Sequence, residues 1–484
     1  MMYKIDKHNI LRLLLLQILI LISLALFCTG CQKQASSSTV SASIQLSEAS
    51  TVTSSQSESS SEITDTNFTE TSNFPYPFSG KLPITEMAPR ELILTEREAL
   101  YDYKTMWQLL YENYPLFTTI REELGIDASE VEAHYLSMLE QSCCNGQIEA
   151  SDFIALINEC LLQFRHIGHL YLCPPTLRND FISRLSGMQG KYGNLASLVN
   201  NKRSERIYNA YREQLQSTET SFYSIEHDDD ELIDLFPEST VAVFPDISLG
   251  YVSDIPYMQI GTLSGWTEET KSELYAFLSV NKDADNLIID IRGNGGGITP
   301  SWQFVVQSLI TEPASYKFIL GYKQGKLNLW TDPELQNPDD YFQQVYLDES
   351  WKEEISGTAS KAMDEMDTIV KFESTVGPAE NSVRFNGHIW LLVDDGVASA
   401  AEELVQFCKQ TKFATIVGTT TGGNGAGLQP HIIALPWSGL LIYYEPFFGL
   451  NLDGTCNAIT GTTPDYMVSA STDALFKCLL LIEH

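Results

Sequence analysis

The chain has 484 residues, enough for about two to four domains of ordinary size. Its 30 Lys and Arg against 63 Asp and Glu give a formal charge of −33, which excludes a nucleic-acid binder working through a basic face and disfavours docking on anionic lipid. With 43% hydrophobic and 11% aromatic residues it can build real cores, so it is not disordered as a whole.

Lys4, Lys7 and Arg12 precede the apolar run Leu13–Phe27, broken only by Gln17 and Ser23. A basic start, a short apolar stretch and small residues after it predict a secretory signal over residues 1–30. The run is shorter than the ~20 residues a membrane-spanning helix needs. It closes in Cys28-Thr29-Gly30-Cys31, which resembles a bacterial lipobox with Cys31 as the lipidated residue, although Cys28 stands where an aliphatic is usual. The alternative is an uncleaved N-terminal anchor. The expectation is export, with a lipid anchor holding the protein on the membrane at the cell surface.

Residues 31–88 form a Ser/Thr-rich segment, and from Ala35 to Asn73 aromatics are nearly absent. Such composition cannot bury enough surface to offset its ordering entropy. It predicts a tether of ~40 residues reaching roughly 35–40 Å on average. Beyond Cys31 seven cysteines remain, an odd number without metal spacing, so burial as small apolar residues is expected for most. Cys143-Cys144 is left unexplained.

A helical domain is predicted over residues 89–175. Thr95 and Glu98 form a capping box ahead of Leu100, Tyr103, Trp107, Leu110 and Tyr114, and Pro115 ends that helix. Asp127 and Glu130 repeat the signature, and a third helix is expected over Asp152–Phe164. Residues 176–245 read as a connecting segment, with helical character over Lys202–Gln216 and a solvated acidic run at His227–Leu232. Residues 246–484 read as one α/β domain. In it Leu287–Ile291 and Ile389–Val393 are short apolar runs of the kind buried in a covered sheet, and Thr267–Leu278 and Ala400–Lys412 are helical.

Two segments carry chemistry. In the first, Leu287–Ile291 runs through Arg292-Gly293-Asn294 into Gly295-Gly296-Gly297. Consecutive glycines let the backbone approach a ligand with N–H groups free to donate, the raw material of an oxyanion hole; a tight strand-to-loop turn would look the same. In the second, Ile389–Val393 leads through Asp394-Asp395-Gly396-Val397-Ala398 to Ser399-Ala400-Ala401-Glu402 at a helix start. Ser399 reads either as an N-cap or as a nucleophile where the helix dipole favours an oxyanion.

Together these segments resemble the C-terminal processing (tail-specific) peptidases, peptidase family S41. Ile416-Val417-Gly418-Thr419-Thr420-Thr421-Gly422-Gly423 and Gly461-Thr462-Thr463-Pro464-Asp465 extend the match, giving four motifs in order over roughly residues 250–470. The resemblance implies an α/β (α+β) ClpP/crotonase-like spiral core with an N-terminal helical domain. No PDZ domain is recognised. It implies a serine-type peptidase acting on a peptide or protein substrate without metal or other cofactor. Ser399 would be the nucleophile, the N–H groups of Gly296 and Ala400 the oxyanion hole, and Arg292 and Asn294 braces of the glycine loop.

The chain departs from that pattern where the processing peptidases carry a catalytic Lys, for Asn424 stands there and cannot take a proton. Lys409 and Lys412 lie ten and thirteen residues along the helix from Ser399, on the order of 15 Å or more at 1.5 Å per residue. A closer resemblance is to the tricorn-core branch, in which a His from an upstream element is the base. That implies His169 in Arg165-His166-Ile167-Gly168-His169, with His166 as fallback and His431 as rival. The segment matching that branch's acidic residue, Cys456–Thr460, has no carboxylate, leaving Glu445 or Asp453 to orient the imidazole. Glu402 matches the nucleophile motif but also has the spacing of a capping-box carboxylate. The competing expectation is a non-catalytic ligand- or peptide-binding module on the same fold. A structural surface protein without a pocket is the third. Oligomeric state is not readable.

Overall fold

The computed structural model describes residues 93–185, 193–210, 242–243, 246–337, 357–469 and 472–483. The signal-like run, Cys31, the tether, residues 211–216 and the acidic run His227–Leu232 lie outside them.

The described chain enters on β1 (Ile93–Thr95), and Thr95 caps α1 (Glu96–Asn113). The Glu98 N–H donates to Thr95 Oγ1 while the Thr95 N–H donates to the Glu98 carboxylate, the reciprocal pair expected from the sequence. Pro115 bars the helical region to the residue before it, and Tyr114 is extended. Next come α2 (Phe117–Leu124) and α3 (Ala128–Ser142), the latter capped by Asp127 through the Ser129 N–H. Then follow β2 (Gln147–Glu149), antiparallel to β1, and α4 (Ala150–Leu162), which buries Phe153, Ile157, Cys160 and Leu161. A 3-10 turn at Ile167–His169 leads into β3 (Tyr171–Leu172), α5 (Pro175–Leu185), α6 (Gly193–Val199) and α7 (Lys202–Ala210).

The second part starts with β4 (Ala242–Val243), β5 (Ile247–Val252), β6 (Ile255–Ile260), α8 (Glu268–Val280) and β7 (Asn286–Asp290). After them run α9 (Thr299–Leu309), β8 (Ala314–Tyr322), α10 (Lys326–Thr331), α11 (Gly357–Met363), β9 (Thr368–Val376) and β10 (His388–Val393). The chain closes with α12 (Ala400–Thr411), β11 (Thr415–Gly418), β12 (His431–Ala434), β13 (Leu441–Tyr444), β14 (Phe447–Leu450), α13 (Asn457–Thr460), β15 (Tyr466–Met467) and α14 (Ala474–Ile482). The architecture is mixed α/β, consistent with a ClpP/crotonase-like spiral core, and no PDZ domain is identified among the described residues.

A seven-stranded sheet in the order β15-β11-β10-β7-β6-β5-β4 is the frame. The two apolar runs singled out from the sequence, β7 and β10, are parallel neighbours at its middle, with Leu392 opposite Asp290. Both faces are covered, which is why the runs do not alternate. One face packs on α9, α12 and the sheet β14-β8-β9; the other packs on α14 through Leu475 and Cys478. Because β7 and β10 are parallel and end side by side, the glycine loop and the Ser399 segment both leave from the carboxyl end of the sheet, the place where open α/β sheets hold ligands.

A third sheet, β12-β13-β3, joins parts of the chain far apart in sequence. β3 pairs antiparallel with β13, Tyr171 opposite Tyr443 and Leu172 opposite Ile442. One hydrophobic core accordingly holds Trp107, Phe153 and Phe164 of the helical part together with Ile432, Leu441 and Tyr444. Cys160, Cys173, Cys408, Cys456 and Cys478 are buried free thiols, as expected for small apolar fillers; Cys144 is exposed.

Candidate active site

Ser399 stands at the junction of Ala398 and α12 with φ 56° and ψ −126°, a conformation that side chains with a Cβ rarely adopt. Its hydroxyl caps no N–H of α12, and it makes no side-chain hydrogen bond to the described residues, so the N-cap reading fails. The strain is held by the backbone around it. The Ser399 N–H donates to Gly423 O at 3.0 Å, Gly422 N–H to Val397 O at 2.8 Å, and Ala398 N–H to Asn294 O at 3.1 Å. The nucleophile segment is thus fixed between the glycine loop on one side and the 421–424 turn on the other.

Gly296 touches this corner directly. It has φ 109°, and a Cβ there would lie 2.7 Å from Ser399 Cβ and 3.0 Å from Ala400 N, so only glycine permits the approach. Asn294 braces the loop as expected, its Nδ2 donating to Ile260 O at 2.8 Å and its Oδ1 accepting the Gly296 N–H at 2.9 Å. That second bond corrects the expectation for the oxyanion hole, since the Gly296 N–H is already committed to a side chain. The N–H groups of Ala400 and Gly297 have no partner among the described residues. Arg292 braces from outside, pairing with Asp290 at 2.6 Å and with Asp473 at the start of α14 at 2.7 Å.

Glu402 is not a capping-box carboxylate. It is fully buried and accepts from Asn457 Nδ2 at 2.7 Å and from the Thr462 hydroxyl, tying α12 to the 457–462 segment. Glu403 accepts from Thr299, Trp302 and Tyr316. Burial pushes the pKa of both carboxyls up, which weakens the negative charge that would oppose an oxyanion at this helix end.

His169 arrives from the other direction. The β3–β13 register, continued two residues past Tyr171 and Tyr443, sets His169 opposite Glu445, and the Glu445 N–H donates to Gly168 O at 2.7 Å. His169 Nδ1 lies 3.7 Å from Glu445 Oε2, close for an ion pair but beyond hydrogen-bond length, and neither atom has a hydrogen-bond partner among the described residues. Burial lowers the imidazole pKa to about 4 and raises the carboxyl to about 8. Gly427 makes room for this carboxylate, because a Cβ there would sit 2.8 Å from Oε2.

The remaining candidates separate from the site. Asp453 closes its own turn, accepting from the Thr455 N–H and hydroxyl, so it is corrected from orienting carboxylate to loop brace. His431 is buried on β12, its Nδ1 3.1 Å from Asn328 Oδ1 in a network with Tyr444 and Asn113, a structural histidine. His166 packs edge-on against Tyr171. Lys409 pairs with Asp465 at 2.8 Å, far along α12 from Ser399.

Asn424, at the position of the absent Lys, has φ 61°, and its Oδ1 accepts the Gly168 N–H at 2.7 Å. Sequence reading found no role for it, because its partner lies 256 residues away. The structure therefore groups Ser399 with Gly296 and Ala400, groups His169 with Glu445, and joins the two groups through Gly423-Asn424.

Among solved structures the chain is similar to a protein from Parabacteroides merdae described as a candidate peptidase, with 14% identity over 81% of this chain and 96% of that one and a TM-score of 0.48. It is similar to mature CPAF, with 14% identity over 77% and 92% of the two chains and a TM-score of 0.48. It is also similar to a lipoprotein from Streptococcus agalactiae, with 12% identity over 83% and 99% and a TM-score of 0.38. No curated protein matches the sequence. The model of Peptidase family S41 matches residues 254–468, which contain all four motif segments but not His169.

Proposed function

We propose that the chain is a serine-type peptidase that hydrolyses peptide bonds through an acyl-enzyme. The observation that supports it best is the strained, half-buried Ser399 at the start of α12, joined through Gly423 O and the Asn424 side chain to the segment that holds His169 beside the buried Glu445. Ser399 Oγ attacks the peptide carbonyl and His169 Nε2 takes its proton, since Nδ1 faces Glu445. The developing imidazolium is stabilised by Glu445, which faces Nδ1, and the oxyanion by the N–H groups of Ala400 and Gly297. The imidazole then gives its proton to the leaving amine, and water repeats the sequence on the ester. No step calls for a metal or cofactor.

Full-length protein incubated with a mixed peptide library and read by mass spectrometry tests this. Cleavage is expected, and is expected to vanish in Ser399→Ala and in His169→Ala with the fold intact; cleavage by Ser399→Ala refutes the nucleophile. A binding module is the second reading, favoured by the 3.7 Å gap between His169 and Glu445 and by Asn424 in place of Lys. Folded protein that cleaves nothing but retains peptides from the library would establish it instead.

The basic start, short apolar run and Cys31 support a lipid-anchored exported protein. Cys31→Ser should abolish labelling by a fatty-acid analogue; undiminished labelling contradicts the anchor.

A further inference from the structure

The segment that carries His169 is strained along its length. Arg165, His166, Gly168 and His169 all have positive φ, at 52°, 59°, 57° and 53°. For residues with a Cβ this region is unfavourable by about 1 kcal/mol or more each, so such a run persists only where surrounding contacts over-determine it.

Three contacts do so. The Tyr114 hydroxyl donates to Ile167 O at 2.6 Å, from the end of α1. The Glu445 N–H donates to Gly168 O at 2.7 Å, from the end of β13. The Gly168 N–H donates to Asn424 Oδ1 at 2.7 Å. Only the third comes from the turn that also holds the nucleophile, for the carbonyl of the preceding residue, Gly423, accepts the Ser399 N–H. The first two fix the His169 segment within its own half of the core; the third fixes it relative to Ser399.

Asn suits both demands on position 424. It tolerates the left-handed backbone better than residues other than Gly, and it presents a carbonyl to the Gly168 N–H. Gly would meet the first demand and fail the second.

We propose that Asn424 is a positioning residue for the hydrolytic reaction: its side-chain carbonyl, bonded to the Gly168 N–H, sets the register of His169 against Ser399. This rests on the reading of Ser399 and His169 as nucleophile and base. Asn424 touches neither substrate nor the transferred proton; it acts through the backbone one residue before the imidazole.

The test is steady-state kinetics of full-length Asn424→Gly and Asn424→Asp on a peptide taken from the cleavage library, beside Ser399→Ala and His169→Ala. Asn424→Gly keeps the backbone and loses the acceptor, so kcat should fall by about 10–100-fold, the usual consequence of a misplaced catalytic group, with KM changed by less than about threefold. Asn424→Asp keeps an acceptor at the same place and should recover kcat to within about fivefold of the parent. Thermal melts identify any variant that fails to fold, and the Asp variant carries the comparison if the Gly variant does. Full kcat in Asn424→Gly overturns the inference, and so does equal loss in folded Gly and Asp variants. Turnover surviving in His169→Ala overturns the base assignment, and the inference falls with it; loss in His169→Ala with full kcat in Asn424→Gly overturns the inference alone.

Discussion

At Glu445, stability and the proposed reaction pull in opposite directions. It is buried, its ordinary pKa near 4.5 is pushed up to about 8 by burial, and its nearest charge partner is an imidazole lowered to about 4. A raised carboxyl pKa stabilises the fold fully below the unfolded value, and that contribution is lost as pH rises through about 8. Gln cannot ionise, so Glu445→Gln should melt higher than the parent at pH 9 and close to it at pH 5. In the reaction the same change puts an amide N–H toward Nδ1 and favours the wrong tautomer. A loss of kcat/KM of about 100-fold or more is expected. Melting curves at the two pH values and peptide kinetics check both halves. Unchanged kinetics would remove Glu445 from the mechanism.

At the scale of elements, α1 and the β12–β13 hairpin are fastened by one buried carboxylate. Asp102, with no exposure, accepts the N–H groups of Trp437 at 2.8 Å and Ser438 at 2.7 Å, and Arg203 lies over the Trp437 ring. Asp102→Ala leaves two N–H groups unpaired. It should cost about 2–4 kcal/mol in urea denaturation. A loss below about 1 kcal/mol would mean that water reaches the hairpin loop. The consequence reaches the site, because β13 carries Glu445 on its far end and aligns β3, which carries His169.

For the whole molecule, the third sheet decides what can be separated. β3 is added to β13, and the core containing Trp107 and Phe153 also contains Ile432, Leu441 and Tyr444. Residues 246–484 expressed alone would expose that apolar face and lack His169. Such a fragment should be degraded within minutes by a protease concentration that leaves the full chain intact. A fragment as resistant as the parent would show that the sheet-and-helix part holds together without the helices before it.

The sequence by itself determined the features set by local physics and by short spacing. The Thr95–Glu98 capping box, the stop at Pro115, the apolar runs of β7 and β10, and the glycine loop ahead of Gly296 were legible because each partner lies within a few residues. Ser399 at the start of α12 was legible for the same reason. Tertiary structure decided what depends on distant partners. It placed Glu445 rather than Asp453 beside His169, through a strand pairing between residues 171 and 443. It committed the Gly296 N–H to Asn294, turned Glu402 from a supposed cap into a buried tie to Asn457, and set Asn424 against Gly168. A hydrogen bond across 256 residues leaves no periodicity behind; only the packing that brings the two backbones together reveals it.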